Sequence, residues 1–290
     1  MVVCPVAQRR NWRRSRWHPS LGSRPVATFD DFVPAPNQGD HSDLYEIENA
    51  AIDRDGMVLD RMRQIAPWAG RTIVDLGCGA GFWLPRYTAA AGRTIGVEPD
   101  DRLIAAARKR VPTGSGQLRV LHGSAEHIPL PDASVDVVHA RFAYFFPPGC
   151  ERGLAEVMRV LRPGGALVVL DNDLRSGEFA ELVRRSPWAV PLGVEIHRGA
   201  AASQGQADST DVWWAERGAS RHEVMSDWRF DARRDFEAVL RMETPAEIAD
   251  PWLASNPDRR HLSYGYVLFL VRRPFESGQT DSPADAITRG

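Results

Sequence analysis

One stretch limits the folds open to this 290-residue chain more than any other: Val74-Asp-Leu-Gly-Cys-Gly-Ala-Gly81, which closes a short apolar run and opens directly into a helical pattern. Glycine at alternate positions permits left-handed backbone and lets a ligand lie against the main chain with no Cβ in the way. A strand, a glycine turn and a helix in that order begin a βαβ unit, so this segment already commits the chain to an α/β fold with a parallel sheet.

The segments that follow repeat the alternation. Apolar patterning predicts strands over residues 71–76, 93–97, 118–122, 134–139 and 166–171, with helices over 82–91, 101–110 and 149–161. Pro163-Gly164-Gly165 stops the last of these helices. Strands spaced by helices imply right-handed crossovers, and the run Ala166-Leu-Val-Val-Leu170 suits a sheet covered on both faces. Ahead of this core, apolar residues recur at helical spacing from Ser42 to Ile65, interrupted by Gly56, which predicts two helices. Beyond Asp171 the regularity loosens. A helix over 177–189 precedes a stretch rich in Gly, Ala, Ser and Gln with Trp213-Trp214 inside it. A strand over 236–240, a helix over 245–254 and a final strand over 264–271 follow.

Composition bounds the function. With 43% hydrophobic and 26% charged residues, the chain reads as globular and able to bury a core without disulfides or metal. A net charge of −2 argues against a surface built for nucleic acid. Cys4, Cys78 and Cys150 form no CxxC pair, so neither a disulfide framework nor a zinc cluster is expected, and a reducing, cytoplasmic setting fits. The apolar runs are too short to span a bilayer. Arginines at 9, 10, 13, 14 and 16 cluster without an apolar run behind them, so residues 1–38 read as a disordered basic leader. The alternative is an arm for nucleic acid or lipid. The expected organisation is one domain over 39–274, with an N-terminal helical cap at 39–66, a lid or acceptor-binding insertion at 177–232, and a disordered tail at 275–290.

A dinucleotide site would need the pattern GxGxxG, but the third position holds Phe82. Pyrophosphate also seeks free amides at a helix N-terminus, where the carboxylate of Asp75 would repel it. That carboxylate suits a ligand carrying an ammonium group and a sulfonium. Glu98 ends the second strand, where a carboxylate can accept both hydroxyls of a ribose; capping the helix that starts near Asp101 is the other reading.

Taken in order, Asp75–Gly81, Glu98, Gly123-Ser-Ala-Glu-His-Ile-Pro-Leu-Pro-Asp132, Val135-Asp-Val-Val138 and Leu161-Arg-Pro-Gly-Gly165 resemble the motifs of class I S-adenosylmethionine-dependent methyltransferases, in their small-molecule, type 11-like branch. The similarity covers about residues 71–173. It implies a Rossmann-like doubly wound sheet of seven strands, mostly parallel with the last strand antiparallel at or near one edge, helices on both faces and a helical lid. It also implies S-adenosyl-L-methionine as cofactor. Gly77, Cys78, Gly79 and Gly81 would pass the methionyl part with Asp75 near its amino group, and Glu98 with Pro99 would hold the ribose. Ser124, Ala125 and Glu126 would lie against adenine, while Ala140 and Arg141 would close over the methionyl end and Tyr45 would join from the helical cap. Family members commonly carry an aspartate where Ser124 stands, accepting from the adenine N6 amine. Here the serine hydroxyl or Glu126 would take that role, and His127 reads as a surface residue.

Methyl transfer asks the protein mainly for alignment and exclusion of water, with a general base for hydroxyl acceptors. The candidates for that base are His139, Glu195, His197 and His222, each with a structural role as the plainer reading. Phe142-Ala-Tyr-Phe-Phe146 replaces the Asn/Asp-Pro-Pro-aromatic loop of enzymes that methylate adenine or glutamine, and no Pro-Cys nucleophile for cytosine is present. Phe142, Tyr144, Phe145, Trp188, Trp213 and Trp214, with the helix bearing Tyr45 and Glu48, are candidate walls for an apolar or planar acceptor; core packing is the alternative. The expectation is methyl transfer to a small-molecule acceptor, with no membrane or nucleic-acid partner. A methyltransferase acting on RNA or protein and a non-catalytic cofactor-binding protein are the alternatives.

Overall fold

The apolar runs become the inner strands of a single sheet. The computed structural model describes residues 29–32, 41–112, 114–185, 205–244 and 246–275. Its strands are β1 (Thr72–Leu76), β2 (Arg93–Glu98), β3 (Leu118–His122), β4 (Val135–Arg141), β5 (Leu161–Asn172), β6 (Ser220–Arg229) and β7 (His261–Arg272), in the order β3-β2-β1-β4-β5-β7-β6. β7 runs antiparallel to both β5 and β6, and every other pairing is parallel. The chain winds outward from β1 through β2 to β3, then returns to place β4 on the other side of β1. This reversal opens a crevice at the carboxyl ends of β1 and β4, where open α/β sheets bind ligands.

Nine helices are described: α1 (Ser42–Ala51), α2 (Met57–Ile65), α3 (Leu84–Thr88), α4 (Asp101–Lys109), α5 (Glu151–Val160), α6 (Gly177–Arg185), α7 (Gly205–Ala215), α8 (Arg233–Glu243) and α9 (Ala246–Ser255). Side chains alternate across the sheet. Ile73, Val137, Val168 and Leu170 face a core shared with α1, α2, α6, α8 and α9, whereas Val74, Val138, Leu167 and Val169 face α5 and α7. Both faces are therefore covered, as the uninterrupted apolar runs required. None of the described helices is long and apolar enough to cross a membrane.

Three elements depart from the sequence expectation. Residues 236–240, expected as a strand, lie in α8, because Phe236, Val239 and Leu240 are buried at helical spacing. Residues 220–229, counted with a lid insertion, form the outer strand β6. Its Arg221 and Glu223 form an ion pair beside the exposed Met225, and polar residues on an outermost strand discourage further pairing while hiding the strand from apolar patterning. The helix expected over 82–91 shrinks to α3, because the chain between Gly81 and Leu84 is used in the turn.

Trp213, Trp214 and Phe145, expected as pocket walls, are core. Trp214 stacks on Phe269 with ring centroids 5.4 Å apart, Phe145 lies 5.8 Å away, and Trp213 meets Trp214 edge-on at 4.8 Å. The expected wall residue Trp188 and the base candidates Glu195 and His197 lie outside the described residues, as do most of the leader and the tail after Phe275.

The helical cap is fastened to the sheet at one turn. Asp53 sits between α1 and α2 at φ 53°, a left-handed conformation that a short polar side chain tolerates. Its carboxylate accepts from the amides of Val58 at 3.0 Å and Leu59 at 3.1 Å, capping α2 in place of a Gly56 that has no side chain, and from the Ser226 hydroxyl of β6 at 2.8 Å. Arg54 adds a two-pronged ion pair to Asp231, at 2.7 and 2.8 Å. Asp53→Ala removes an anionic cap, leaves the amides unpaired and places an alanine in left-handed backbone. It is expected to lower unfolding free energy by about 2–3 kcal/mol, with Asp53→Asn losing less, as read by chemical denaturation followed by circular dichroism.

Candidate functional site

The glycine loop leaves β1 with alternating handedness: Gly77, Gly79 and Gly81 have φ of 73°, 56° and 78°. A side chain at Gly77 would collide with Ala143 at 2.6 Å, and one at Gly81 would press on Ala107 and Leu84 at 3.0 Å. The loop is bound from below. The amides of Gly77 and Cys78 donate to the Val97 carbonyl at 2.8 and 3.1 Å, and Gly79 donates to the Glu98 carboxylate at 2.8 Å. The other Glu98 oxygen accepts from the Asp100 amide at 3.0 Å. Asp100, not Glu98, caps α4, through the Arg102 amide at 2.8 Å. The capping alternative for Glu98 is thereby removed, and its carboxylate is left as the link between the ends of β1 and β2.

Above the loop, Arg110 reaches back to the Ala80 carbonyl at 2.9 Å and pairs with Glu46 of α1, so the helical cap lies beside the glycines. Asn49 of α1 accepts from the Trp83 indole at 2.8 Å and donates to the Tyr45 carbonyl at 2.8 Å. The Arg141 guanidinium, at the end of β4, rests 3.7 Å over the Trp83 ring. The chain after β4 is strained at the crevice: Phe142 and Tyr144 adopt φ of 49° and 56°, and between them Ala143 meets Gly77. Bulky residues in that region are uncommon and cluster at functional sites.

The electrostatics are unusual for a globular interior. Asp75 and Glu98 are 3% and 4% exposed, and burial pushes both carboxyls up to about 7. The positive charge of Arg141 partly offsets this at Asp75, and the amides of Asp100 and Gly79 do so at Glu98. Burial likewise lifts Glu48 of α1 to about 7, with Oε2 lacking any hydrogen-bond partner among the described residues, and Asp171 at the end of β5 to about 7. Acids so shifted titrate near neutral pH, and a cation or further hydrogen-bond donors draw them to the charged form.

The structure gathers Asp75, Gly77, Gly79, Gly81, Glu98 and Arg141 around the crevice. Cys78 and Ala140 belong there only through their backbones. The Cys78 thiol is buried with Leu84 and Ile104, and Ala140 faces the second core. Ser124, Ala125 and Glu126 form a turn after β3, with Ser124 and His127 exchanging backbone hydrogen bonds at 3.2 Å, and the Pro99 carbonyl lies 3.1 Å from the His122 ring. Residues 29–32, grouped with the leader in the sequence, pack on this turn: the Glu126 amide donates to Asp31 at 3.1 Å, and Phe29 meets His122 edge-on at 5.1 Å.

Two of the expected base candidates are placed elsewhere. His139 is fully buried between Trp68 and Tyr87, each 5.1 Å away, and burial together with Arg141 lowers its pKa to about 3, so it is a neutral core residue. His222 lies on β6 level with Arg141 but three strands across the sheet, roughly 14 Å at the usual ~4.8 Å strand spacing. There it is held by Arg61 and Ser220 at 3.0 Å each. Glu48 and Asp171, by contrast, carry the shifted groups that histidine-based reasoning passed over.

Gly77→Ala would force left-handed backbone on alanine and drive its methyl into Ala143, which has no flexible side chain to yield. A loss of about 2 kcal/mol or more in stability is expected, as a lowered thermal midpoint with the ligand-free chain.

Comparison with known proteins agrees with this architecture. Residues 74–169 match the family described as "Methyltransferase domain". A protein of Mycolicibacterium smegmatis, named as a probable S-adenosylmethionine-dependent methyltransferase, is 37% identical over 155 residues, spanning 47% of this chain and 59% of that protein. A demethylmenaquinone methyltransferase of Clavibacter sepedonicus is 27% identical over 239 residues, 77% of this chain and 93% of that one. A ubiquinone/menaquinone biosynthesis C-methyltransferase of Rubrivivax gelatinosus is 36% identical over 110 residues, 38% of this chain and 43% of the other. The fold is shared with the crystal structure of a candidate methyltransferase of Bacillus halodurans C-125, at a TM-score of 0.50 and 19% identity, covering 74% of this chain and 98% of that one. Over residues 74–169 the chain is thus similar to the methyltransferase domain, and among its relatives is a protein named as a probable S-adenosylmethionine-dependent methyltransferase.

Proposed function

We propose that this chain binds S-adenosylmethionine in the crevice and transfers its methyl group to a small-molecule acceptor. The observation that carries the reading is the pair of buried carboxylates, Asp75 and Glu98, on either side of a loop whose three glycines hold left-handed backbone. When bound, the cofactor supplies an electrophilic methyl on a sulfonium, open to in-line displacement. Asp75 answers its amino group, Glu98 its ribose hydroxyls, and Arg141 its carboxylate. The carboxylates of Asp75 and Glu98 are then held in their charged form by added partners.

The acceptor would approach from the side of α1 and the strained turn at Phe142–Tyr144. Glu48 is the base this reading assigns, because it is 6% exposed and its pKa near 7 lets it take a proton from a hydroxyl or enol at neutral pH. The printed names of two relatives, both quinone-biosynthesis methyltransferases, support a small planar acceptor.

Two experiments test this reading. Ligand binding favours the ionised forms of Asp75 and Glu98, so their pKa values fall below about 7 in the complex and protons are released. Affinity for S-adenosylhomocysteine is therefore expected to be full above pH 7 and to weaken as pH falls through 7. Calorimetry in buffers of different ionisation enthalpy reads both effects, and absence of binding at pH 8 would sink the proposal. Glu48→Gln is expected to reduce turnover of a phenolic or enolic acceptor by ~10²–10⁴-fold and to abolish the rise in rate through pH 7. S-adenosylhomocysteine affinity should stay within about threefold, well under the ~1.4 kcal/mol that marks a tenfold change.

A further inference from the structure

We propose that Asp31, from the short segment ahead of the helical cap, supplies the carboxylate that accepts the adenine N6 amine of the cofactor, the role given to an aspartate in the family where this chain has Ser124. The inference rests on the cofactor reading above and adds to it a residue far from the expected motif.

The two substitutes available within the motif are already engaged. Ser124 is 2% exposed, and its hydroxyl lies 3.4 Å from Nδ1 of His127. The Glu126 carboxylate accepts from the Tyr144 hydroxyl at 2.9 Å and pairs with Arg152 at 3.1 Å. Asp31 is as buried as Ser124, but one of its two oxygens is left over. One of its oxygens accepts from the Glu126 amide at 3.1 Å, which anchors it on the turn expected to meet adenine. The other oxygen, Oδ1, is buried and has no hydrogen-bond partner among the described residues; the basic group near it, Nδ1 of His127, is 3.9 Å away. The side chain is 4% exposed, so this oxygen is withheld from bulk solvent. Phe29 holds the segment in place through His122 at 5.1 Å and His127 at 6.0 Å. A buried acceptor with no donor, fixed beside the adenine turn, is the complement of an exocyclic amine, which brings two donors and no charge.

Replacing the amine by a carbonyl separates this assignment from simple packing. S-inosylhomocysteine presents an acceptor where S-adenosylhomocysteine presents a donor, so a carboxylate at that position rejects it. With the full chain in calorimetry, the wild type is expected to prefer S-adenosylhomocysteine by ~100-fold or more. Asp31→Ala should weaken S-adenosylhomocysteine by ~10–100-fold and leave the inosine analogue nearly unchanged, which collapses the preference. Asp31→Asn, whose amide can donate, should bind the inosine analogue more tightly than the wild type does, and this gain cannot come from a damaged fold. In the Asp31→Ala background, Ser124→Asp should restore the preference. Retention of wild-type discrimination by Asp31→Ala would overturn the assignment while leaving the cofactor reading intact. Failure of the wild type to bind S-adenosylhomocysteine would overturn both.

Discussion

The Glu98 carboxylate is the contact on which the site depends. With one oxygen on the Gly79 amide and the other on the Asp100 amide, it ties the turn after β1 to the turn after β2. Alternate glycines give the loop its freedom, and ordering so free a segment is entropically costly. Glu98 and the Val97 carbonyl offset that cost by giving three successive amides of the loop fixed partners. The lone pairs left on the carboxylate point to a second use, because each oxygen can accept more than one donor. In the proposed reading a single residue thus both shapes the loop and holds the ligand lying on it.

Around this link the chain accumulates acids that a stable interior would normally avoid. Asp75, Glu98, Glu48 and Asp171 are all held near neutral pKa by burial, with Arg141 as the cation acting on Asp75. Raised carboxyl pKa values mean that the ligand-free fold binds protons more tightly than the unfolded chain does. Stability is therefore present at acidic pH and is drawn down as pH rises from about 4.5 through 7. In the proposed reading that destabilisation is the counterpart of binding, because a ligand bearing donors and positive charge would remove it. The positive φ values at Phe142 and Tyr144, which place Ala143 on Gly77, are a second local cost at the same crevice.

Much of the site was legible from local sequence. The run from Asp75 to Gly81 required a turn of one particular kind, and Glu98 stood at the end of the next strand. The structure places the loop and Glu98 at those strand ends and excludes the capping reading for Glu98, since Asp100 caps α4. Other residues were legible only as types. His139 has the side chain of a base, yet it lies among aromatic rings where protonation is strongly disfavoured. Trp213 and Trp214 resemble pocket walls until α7 places them on Phe269. β6 gave no periodic signal because its residues are mostly polar and among them only Trp228 is fully buried. Nor did anything local mark Asp31: a short Phe-Asp-Asp-Phe stretch beside an arginine-rich segment carries no periodicity to read.

By itself, then, the sequence determined the parallel core, the glycine loop and the two carboxylates that flank it. Each depends on residues adjacent in the chain, where propensity, turn chemistry and spacing act directly. Tertiary structure decided which acids became buried without partners, which histidines became core, and which distant segment meets the turn after β3. Those outcomes follow from burial and from contacts between residues far apart in sequence, such as Asp31 with Glu126 and Asp53 with Ser226. Desolvation, which sets the charge of every acid in the crevice, exists only once the layers have closed over it.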